Sequence, residues 1–360
     1  MSTVTKPVIL DETGQLVAST LASKADAITE KLNEIKNAIT EEVVIAPISL
    51  SITSYPTRTD YLPGENLDLT GLVVKALFSN GNSYDVTQNC TITPDINESL
   101  TTDVDTVTIT WSYTPTGQTL TTRFSIFVGI CEWSSGTPAQ IQLALDAHYN
   151  GIINLHNYWN VGDERIISLS AMAATGVGES HDAQNVVFVL TEEGGKYLED
   201  GVTECVYQVD QRGCLSEGGY INSTETISGG WRDCARRTWC NNVYRNAIPS
   251  DERSLFKEFI NYSGTGISSS GTYQTKDYFA LRAEIEIYGN NRLSVEGEGS
   301  QIEYYETTAH RKKNNSPYWL RSPGISESGN KWVFASPGND YALMKVPNDD
   351  DELIAPFGVI

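Results

Sequence analysis

The chain has 360 residues, of which 46 are acidic and 25 basic, giving a net charge of −21. That length accommodates two or three domains with cores of their own. Such an acidic chain lacks the basic face that a phosphate backbone or an anionic lipid surface requires, and no apolar run approaches the roughly 20 residues that cross a bilayer.

The stretch from Met1 to Gln15 lacks the basic region and apolar core of a secretion signal, so synthesis in the cytosol without export is expected. Residues 1–46 read as a helical segment for oligomerisation and attachment. A helical pattern begins near Thr13. Leu21, Ala25, Ile28, Leu32, Ile35 and Ile39 then alternate at spacings of 4 and 3, the a/d seam of a coiled coil. Asp26, Glu30, Lys31, Glu34 and Lys36 flank the seam with mixed sign. The competing reading is one amphipathic helix packed on its own domain. As a stem, residues 21–39 would form a homo-oligomer, dimer or trimer, with the trimer preferred.

Residues 47–130 alternate in the manner of strands. Ile48–Ile52 is one, and Leu72–Phe78 is a second. The turn Ser79-Asn80-Gly81-Asn82 follows, with Asn-Gly suited to two positive φ values. Val107, Ile109, Trp111 and Tyr113 alternate with polar residues, and Leu120, Phe124, Ile126 and Val128 continue the pattern. Several short strands separated by turn residues predict an all-β sandwich.

Residues 131–360 predict a mixed α+β unit. Thr137 suits an N-cap, Pro138 the first helical position, and Gln140 the capping box. Ile141, Ala144, Leu145 and His148 would be the buried face of that helix, and Gly151 its end. Strands are expected at Ile152–Leu155, Arg165–Leu169, Asn185–Leu190 and Glu204–Gln208. A second helix is expected from Gly229 to about Tyr244, with Trp231, Ala235, Trp239 and Val243 on one stripe. A third starts at Ser250, with Leu255, Phe256, Phe259 and Ile260 as its core face. Pro317 and Pro323 bracket Tyr318-Trp319-Leu320-Arg321, which predicts a short stiff strand. Tyr318 and Leu320 would face one side, Trp319 and Arg321 the other. Arg321 is then placed to stack on an aromatic ring or to fork onto a carboxylate or carbonyl. Trp231, Trp239, Trp319 and Arg321 are assigned to the structural core. The apolar end Ala355–Ile360 reads as a tucked-in strand.

Both β- and α-units also carry resemblances. Ile52-Thr53, Pro56–Tyr61, Gly64–Val74 and Phe78–Gly81 closely resemble a group of bacterial immunoglobulin-like domains, which serve mostly as spacers on surface proteins and phage structural proteins. Those domains lack a paired-cysteine core, which fits the lone Cys90. In the last unit, Tyr158-Trp159, Gly229-Gly230-Trp231, Glu284–Gly289, Trp319-Leu320-Arg321-Ser322-Pro323 and the terminal Ala355–Ile360 resemble an uncharacterised bacterial and phage family marked by Trp-Leu-Arg-Ser-Pro. The resemblance implies the C-type-lectin-like fold of formylglycine-generating enzymes and phage receptor-binding proteins. The activity of those enzymes needs cysteines late in the chain, whereas the last one here is Cys240.

No phosphate loop, nucleophile elbow or zinc-protease motif occurs. Paired carboxylates for glycan cleavage arise by coincidence among so many acids. No metal, cofactor or catalytic residue is expected. The six cysteines show no Cys-x-x-Cys spacing and are expected as buried free thiols, with Cys205/Cys214 and Cys234/Cys240 open to later oxidation. The acidic run Asn348–Glu352 lacks the spacing of a calcium loop and reads as solvated. His310–Asn315 is the only basic cluster, suited to an acidic partner such as a charged cell-wall glycan. Tyr304, Tyr305, Arg311, Lys312, Asn314, Trp332 and Tyr341 are the expected ligand-binding residues, exposed on loops flanking the Trp319 strand. Alanine at Trp319 is expected to unfold the unit, and alanine at Tyr305 or Tyr341 to weaken binding alone.

Together these features predict a phage virion protein, a tail or head fibre. The N-terminus would bind other virion proteins, and a lectin-like head would recognise a host-surface glycan or protein. The alternatives are a bacterial surface adhesin and a glycan-degrading depolymerase.

Overall fold

The computed structural model describes residues 12, 18–39, 45–266, 271–325, 330–337, 339–348 and 352–360. The expected helix start at Thr13 and the acidic residues 349–351 lie outside this set. The chain divides into two compact units, one of residues to Thr59, Asn66–Glu98 and Asp105–Ile126, the other of Asp60–Glu65, Ser99–Val104 and Phe127–Ile360. The architecture is multi-sheet and β-rich with a few short helices. Among the described residues no helix is long and apolar enough to cross a membrane.

In the first unit an α-helix spans Ala18–Ile39. Every side chain described on it is exposed. Ile28, Leu32 and Ile35 are 61%, 59% and 54% exposed, so in the single chain these positions of the expected seam are left open to solvent. Two three-stranded antiparallel sheets follow. One joins Pro47–Ser54, Val73–Phe78 and Ser83–Asp85. The other joins Thr91–Thr93, Thr106–Tyr113 and Gln118–Ser125. Val74, Ala76 and Phe78 alternate inward on the first sheet, Val107, Ile109 and Trp111 on the second. Phe78 meets Trp111 and Tyr113 edge-on, with ring centroids 6.1 Å and 5.3 Å away. The Asn80-Gly81 turn differs from the two-residue type expected. Only Gly81 takes positive φ, at 82°. Asn80 instead uses its side-chain oxygen to accept from Asn82 N at 3.0 Å, an Asx turn that removes the need for a second left-handed residue.

The second unit contains the parallel pair Asp60–Tyr61 with Phe127–Val128. Its first long helix, Pro138–Tyr149, starts in the capping box the sequence calls for. Thr137 N donates to Gln140 Oε1 at 2.9 Å, and Gln140 N donates to Thr137 Oγ1 at 3.3 Å. A four-stranded antiparallel sheet runs Phe357–Val359, Tyr207–Gln211, Gln184–Glu193, Glu164–Leu169. The terminal strand Phe357–Val359 is fully buried at its edge. A hairpin of Phe259–Gly264 and Thr272–Asp277, and a sheet of Tyr318–Pro323, Trp332–Ala335 and Leu343–Lys345, complete the unit. The six cysteines are free thiols, all buried except the half-buried Cys90.

Four sequence expectations fail here for physical reasons. Residues 152–155 form no strand, and Leu155–Asn157 is a short 3-10 turn capped by the Asn154 side chain. The 204–208 strand forms at Tyr207–Gln211, where it pairs on both sides. The helix expected from Gly229 is broken into a 3-10 turn at Gly230–Asp233, an α turn at Ala235–Trp239 and a π turn at Cys240–Tyr244. Gly230, at φ 57°, lies so close to the Gly264 carbonyl that no side chain fits. The third helix stops at Leu255, because Lys257 N bonds Val359 O at 2.9 Å and Phe259 begins a strand. Apolar positions at 255, 256, 259 and 260 fit either period, and tertiary pairing decides.

Trp319 faces one hydrophobic cluster, while Tyr318 and Leu320 face another. Arg321 forks onto Glu286, with Nη1 to Oε2 at 2.5 Å and Nη2 to Oε1 at 2.9 Å. It also donates to the carbonyls of Tyr262, Leu281 and Glu298. Lys196 reaches Glu286 at 2.6 Å. Arg282 lies between Glu286, 3.8 Å away, and Asp210, to which it donates twice from Nε. Lys313, Tyr305 and Thr191 also donate to Asp210. All of the charged residues among these are buried, as are Tyr305 and Thr191. Burial pushes the Glu286 carboxyl up, but Arg321, Lys196 and Arg282 outweigh it and hold the group well below the usual carboxylate range.

Glu298 sits at the edge of this network, accepting from Gly264 N at 2.7 Å and from Ser322 Oγ. Burial lifts its carboxyl from 4.5 to about 7, against the pull of Arg321. The folded state thus retains a proton that the unfolded chain releases, so stability falls as pH rises from the unfolded value through about 7. The full loss is about 3 kcal/mol. We expect the melting temperature of Glu298→Gln to gain several degrees on the natural chain between pH 5 and pH 8. Thermal melts at both pH values check this, and a pH-independent offset would contradict it.

Candidate ligand-binding site

The loop before the Trp319 strand folds as three short turns: Glu303–Glu306, Thr308–Arg311 and Lys313–Asn315. Two neighbouring tyrosines separate at the first. Tyr305 is buried and donates to Asp210 at 2.8 Å. Tyr304 is half-buried, and its ring stacks on His310 with centroids 3.9 Å apart and planes within 8°. His310 Nδ1 lies 2.6 Å from the Tyr304 carbonyl, which fixes the stack.

The basic cluster also divides. Lys313 is buried and donates to Gln211 O at 2.7 Å and to Asp210 at 3.3 Å. Burial lowers the proton affinity of its amine, with Asp210 opposing. Arg311 is half-buried and ties the loop together by donating to the carbonyls of Tyr305 and Glu306 at 2.6 and 3.2 Å. Lys312 and Asn314 are exposed. Asn314 and Asn315 take left-handed φ values of 53° and 54°, which asparagine tolerates better than most residues.

Tyr304, Ala309, His310, Lys312, Lys313 and Asn314 line one face of a surface pocket of about 350 Å³, and Glu164 and Arg212 line the other. Arg212 and Glu164 form an exposed ion pair at 2.5 Å. A second pocket of about 270 Å³ shares Arg212 and Asn314 and extends along residues 184–187. The two make a polar trough with aromatic, cationic and amide groups on its walls, a set suited to an anionic or hydroxyl-rich ligand.

Of the expected ligand-binding residues, the structure brings Tyr304, Lys312 and Asn314 together, with Arg311 bracing them. Tyr305 and Trp332 do not belong. Both are buried, and Trp332 donates to Leu320 O at 2.6 Å. Irregular local sequence suggested exposure, but a tertiary partner claims each polar tip. Tyr341 is exposed elsewhere, with Arg292 over its ring at 4.3 Å. Trp231, Trp239, Trp319 and Arg321 are all buried. Glu352, expected on a solvated acidic loop, is also buried and pairs with Lys345 at 3.2 Å. Arg212 and Glu164 were missed by the sequence reading. They follow and begin strands, and only the pairing of those strands sets them beside the loop.

A DUF6273 domain, described as a domain of unknown function, matches residues 179–342, which include Arg212 and the whole 303–315 loop. No curated protein matches the chain.

Tyr304→Ala should cost about 1 kcal/mol of stability, as for a half-buried side chain packed on the margin of the core. Tyr305→Ala should cost about 3–5 kcal/mol through its cavity and the donor lost to Asp210. Denaturant titrations of the two variants check this, and similar losses would refute the division of the pair.

Proposed function

We propose that the chain is an attachment protein of a phage particle that binds an anionic host-surface glycan through the trough at Arg212, Tyr304, His310, Lys312 and Asn314. In this reading Ala18–Ile39 is an oligomerising stem, preferably trimeric, and the segment before it docks on other virion proteins. The two-sheet unit is an immunoglobulin-like spacer, and the larger unit is a C-type-lectin-like head. The role is binding without catalysis.

The observation that carries the proposal is the trough itself. On a chain of net charge −21, it gathers Arg212, His310 and Lys312 around a stacked Tyr304 ring. Rings of sugars stack on such faces, and cations select acidic ones. The exposed Ile28, Leu32 and Ile35 support the stem, since a heptad seam left open in one chain is buried by further copies. The module resemblances support the particle.

The test is binding of the intact chain to isolated host envelopes at rising salt. We expect Arg212→Ala with Lys312→Ala to weaken binding about tenfold or more and to flatten its salt dependence, the melting curve staying unchanged. Unchanged binding by this variant would sink the site. Shortening of the host polysaccharide during incubation would favour a depolymerase instead. For the stem, Ile28→Asp with Ile35→Asp should convert an oligomer to a chain of 39.6 kDa by mass measurement in solution. A natural chain that is already monomeric would refute it.

A further inference from the structure

Among the described residues, every other buried or half-buried arginine of the second unit donates to an acceptor in the chain, and Arg245 does not. Its guanidinium lies over the Tyr278 ring at 3.6 Å, a contact that fixes its plane without satisfying its N–H groups. Nε is covered and has no partner, whereas the terminal nitrogens are open to the surface. Among the described residues no carboxylate stands within ion-pair distance of it. Arg245, Tyr278 and Glu258 line two surface pockets, of about 320 and 290 Å³, the size of a site for one small ligand.

The lining of the larger of the two divides into engaged and free groups. Arg237 donates to Asp277 at 2.6 Å and to Lys276 O at 2.7 Å. Asn241 donates to the carbonyls of Arg237 and Phe279, each at 3.0 Å, and accepts from Tyr278 N at 2.6 Å. Both therefore hold the wall in place. Thr238 and Asn242 are exposed, and their side chains bond to nothing among the described residues. Lys276 is exposed, its amine 4.0 Å from Glu199. Glu258 hydrogen-bonds to Glu199 rather than to Arg245, and burial followed by that neighbour raises its pKa. Thr238, Asn242 and Arg245, four and three residues apart, share one face of the run of helical turns. The π turn Cys240–Tyr244 lies in that run, a distortion frequent at functional sites.

We propose that the pocket beside Arg245 binds a sugar acid, a small ligand with one carboxylate on a hydroxylated body. The carboxylate accepts from the terminal nitrogens of Arg245, whose plane Tyr278 has fixed, and Lys276 adds a second positive charge. The hydroxyls meet Thr238 and Asn242, which donate and accept. An apolar body would leave those two groups without partners. Charge selects the anion. Arg245 and Lys276 outweigh Glu258 among the free groups, on a chain of net charge −21. A phosphate dianion would meet the Glu258 carboxyl with twice the repulsion of a carboxylate. No part of the chain has to move, since the free groups already face the pocket. The site shares no residue with the trough at Arg212 and stands or falls without it.

The test uses the full chain carrying Arg212→Ala and Lys312→Ala, so that the trough contributes nothing and each site is judged by itself. The chain is labelled with ¹⁵N and the Arg245 Nε–H is followed, assigned by its loss in Arg245→Lys. The probes are D-galacturonate, D-galactose as the neutral control and D-galactose 6-phosphate as the dianion. Galacturonate should move the Arg245 peak to saturation, and galactose should bind about tenfold more weakly. Galactose 6-phosphate should bind less tightly than galacturonate. Arg245→Gln, and Thr238→Trp, which fills the pocket from an exposed position, should each lower galacturonate affinity about tenfold, read by saturation transfer to the sugar. Thr238→Trp decides alone where Arg245→Gln does not fold. An Arg245 peak that galacturonate leaves in place, or galactose or its 6-phosphate binding as tightly as galacturonate, would overturn the proposal. So would unchanged galacturonate affinity in a folded Thr238→Trp chain.

Discussion

The second unit depends on two buried carboxylates that each gather several cations. Asp210 comes from the middle of the four-stranded sheet and Glu286 from a short helix. Arg282 spans them. Arg321 brings the Trp-Leu-Arg-Ser-Pro strand to Glu286, Lys196 brings the end of the Gln184–Glu193 strand, and Lys313 brings the loop before Trp319. The terminal strand joins through Phe357, with Arg282 over its ring at 3.7 Å and Arg321 at 6.0 Å. Removing four cations from water is costly, and two carboxylates alone do not repay it. The balance is met by dipoles. Arg321 uses three backbone carbonyls, Arg282 the Gln208 and Thr191 side chains, and Lys313 the Gln211 carbonyl. The acceptors at Tyr262, Thr191, Gln208 and Gln211 are correctly placed only when their own strands are in register. A core of aliphatic side chains would tolerate a slipped register, whereas this one loses several charge-assisted bonds at once.

That constraint also shapes the surface. Lys313 and Tyr305 are drawn inward to Asp210, so the loop between them cannot wander. Their neighbours Lys312 and Asn314 are turned outward as a consequence, and Tyr304 is left half-buried at the surface. The trough is built on a loop, yet its geometry is inherited from the buried network one residue away. A binding surface held this way loses little conformational entropy when a ligand arrives.

The sequence made some of this legible. Prolines at 317 and 323 and period-two alternation located the Trp319 strand and the two faces of its side chains. Capping chemistry located the Pro138–Tyr149 helix to the residue, because a cap is a local interaction. Arg321 was legible as a structural arginine, but its carboxylate was not. Glu286 lies 35 residues away on another element, and nothing local marks it among so many acids. The same reason defeats the reading of Tyr305, Trp332 and Lys313. Their surroundings in sequence are polar and irregular, and their burial follows from partners 95, 12 and 103 residues distant. Helix breaks near Cys240 and Leu255 escape for a related reason, since apolar spacing there satisfies more than one period.

An exposed trough of this kind sets a limit on what one copy can do. Its exposed cations, Arg212 and Lys312, face water, the first already paired with Glu164, so each contact with an acidic glycan would be worth little after screening. A single head would hold its ligand weakly and release it quickly. In the proposed reading the stem changes the arithmetic. Copies joined through Ile28, Leu32 and Ile35 offer several troughs to a surface that repeats the same sugar unit. The second contact then forms at the effective concentration set by the linkage, and avidity exceeds single-site affinity by about 10²–10⁴. Weak heads on a strong stem allow sampling of a surface before commitment, whereas tight heads would fix the particle at the first contact. In that reading the trough and the open seam of the helix belong to one design: the first would require multiplicity, and the second would supply it.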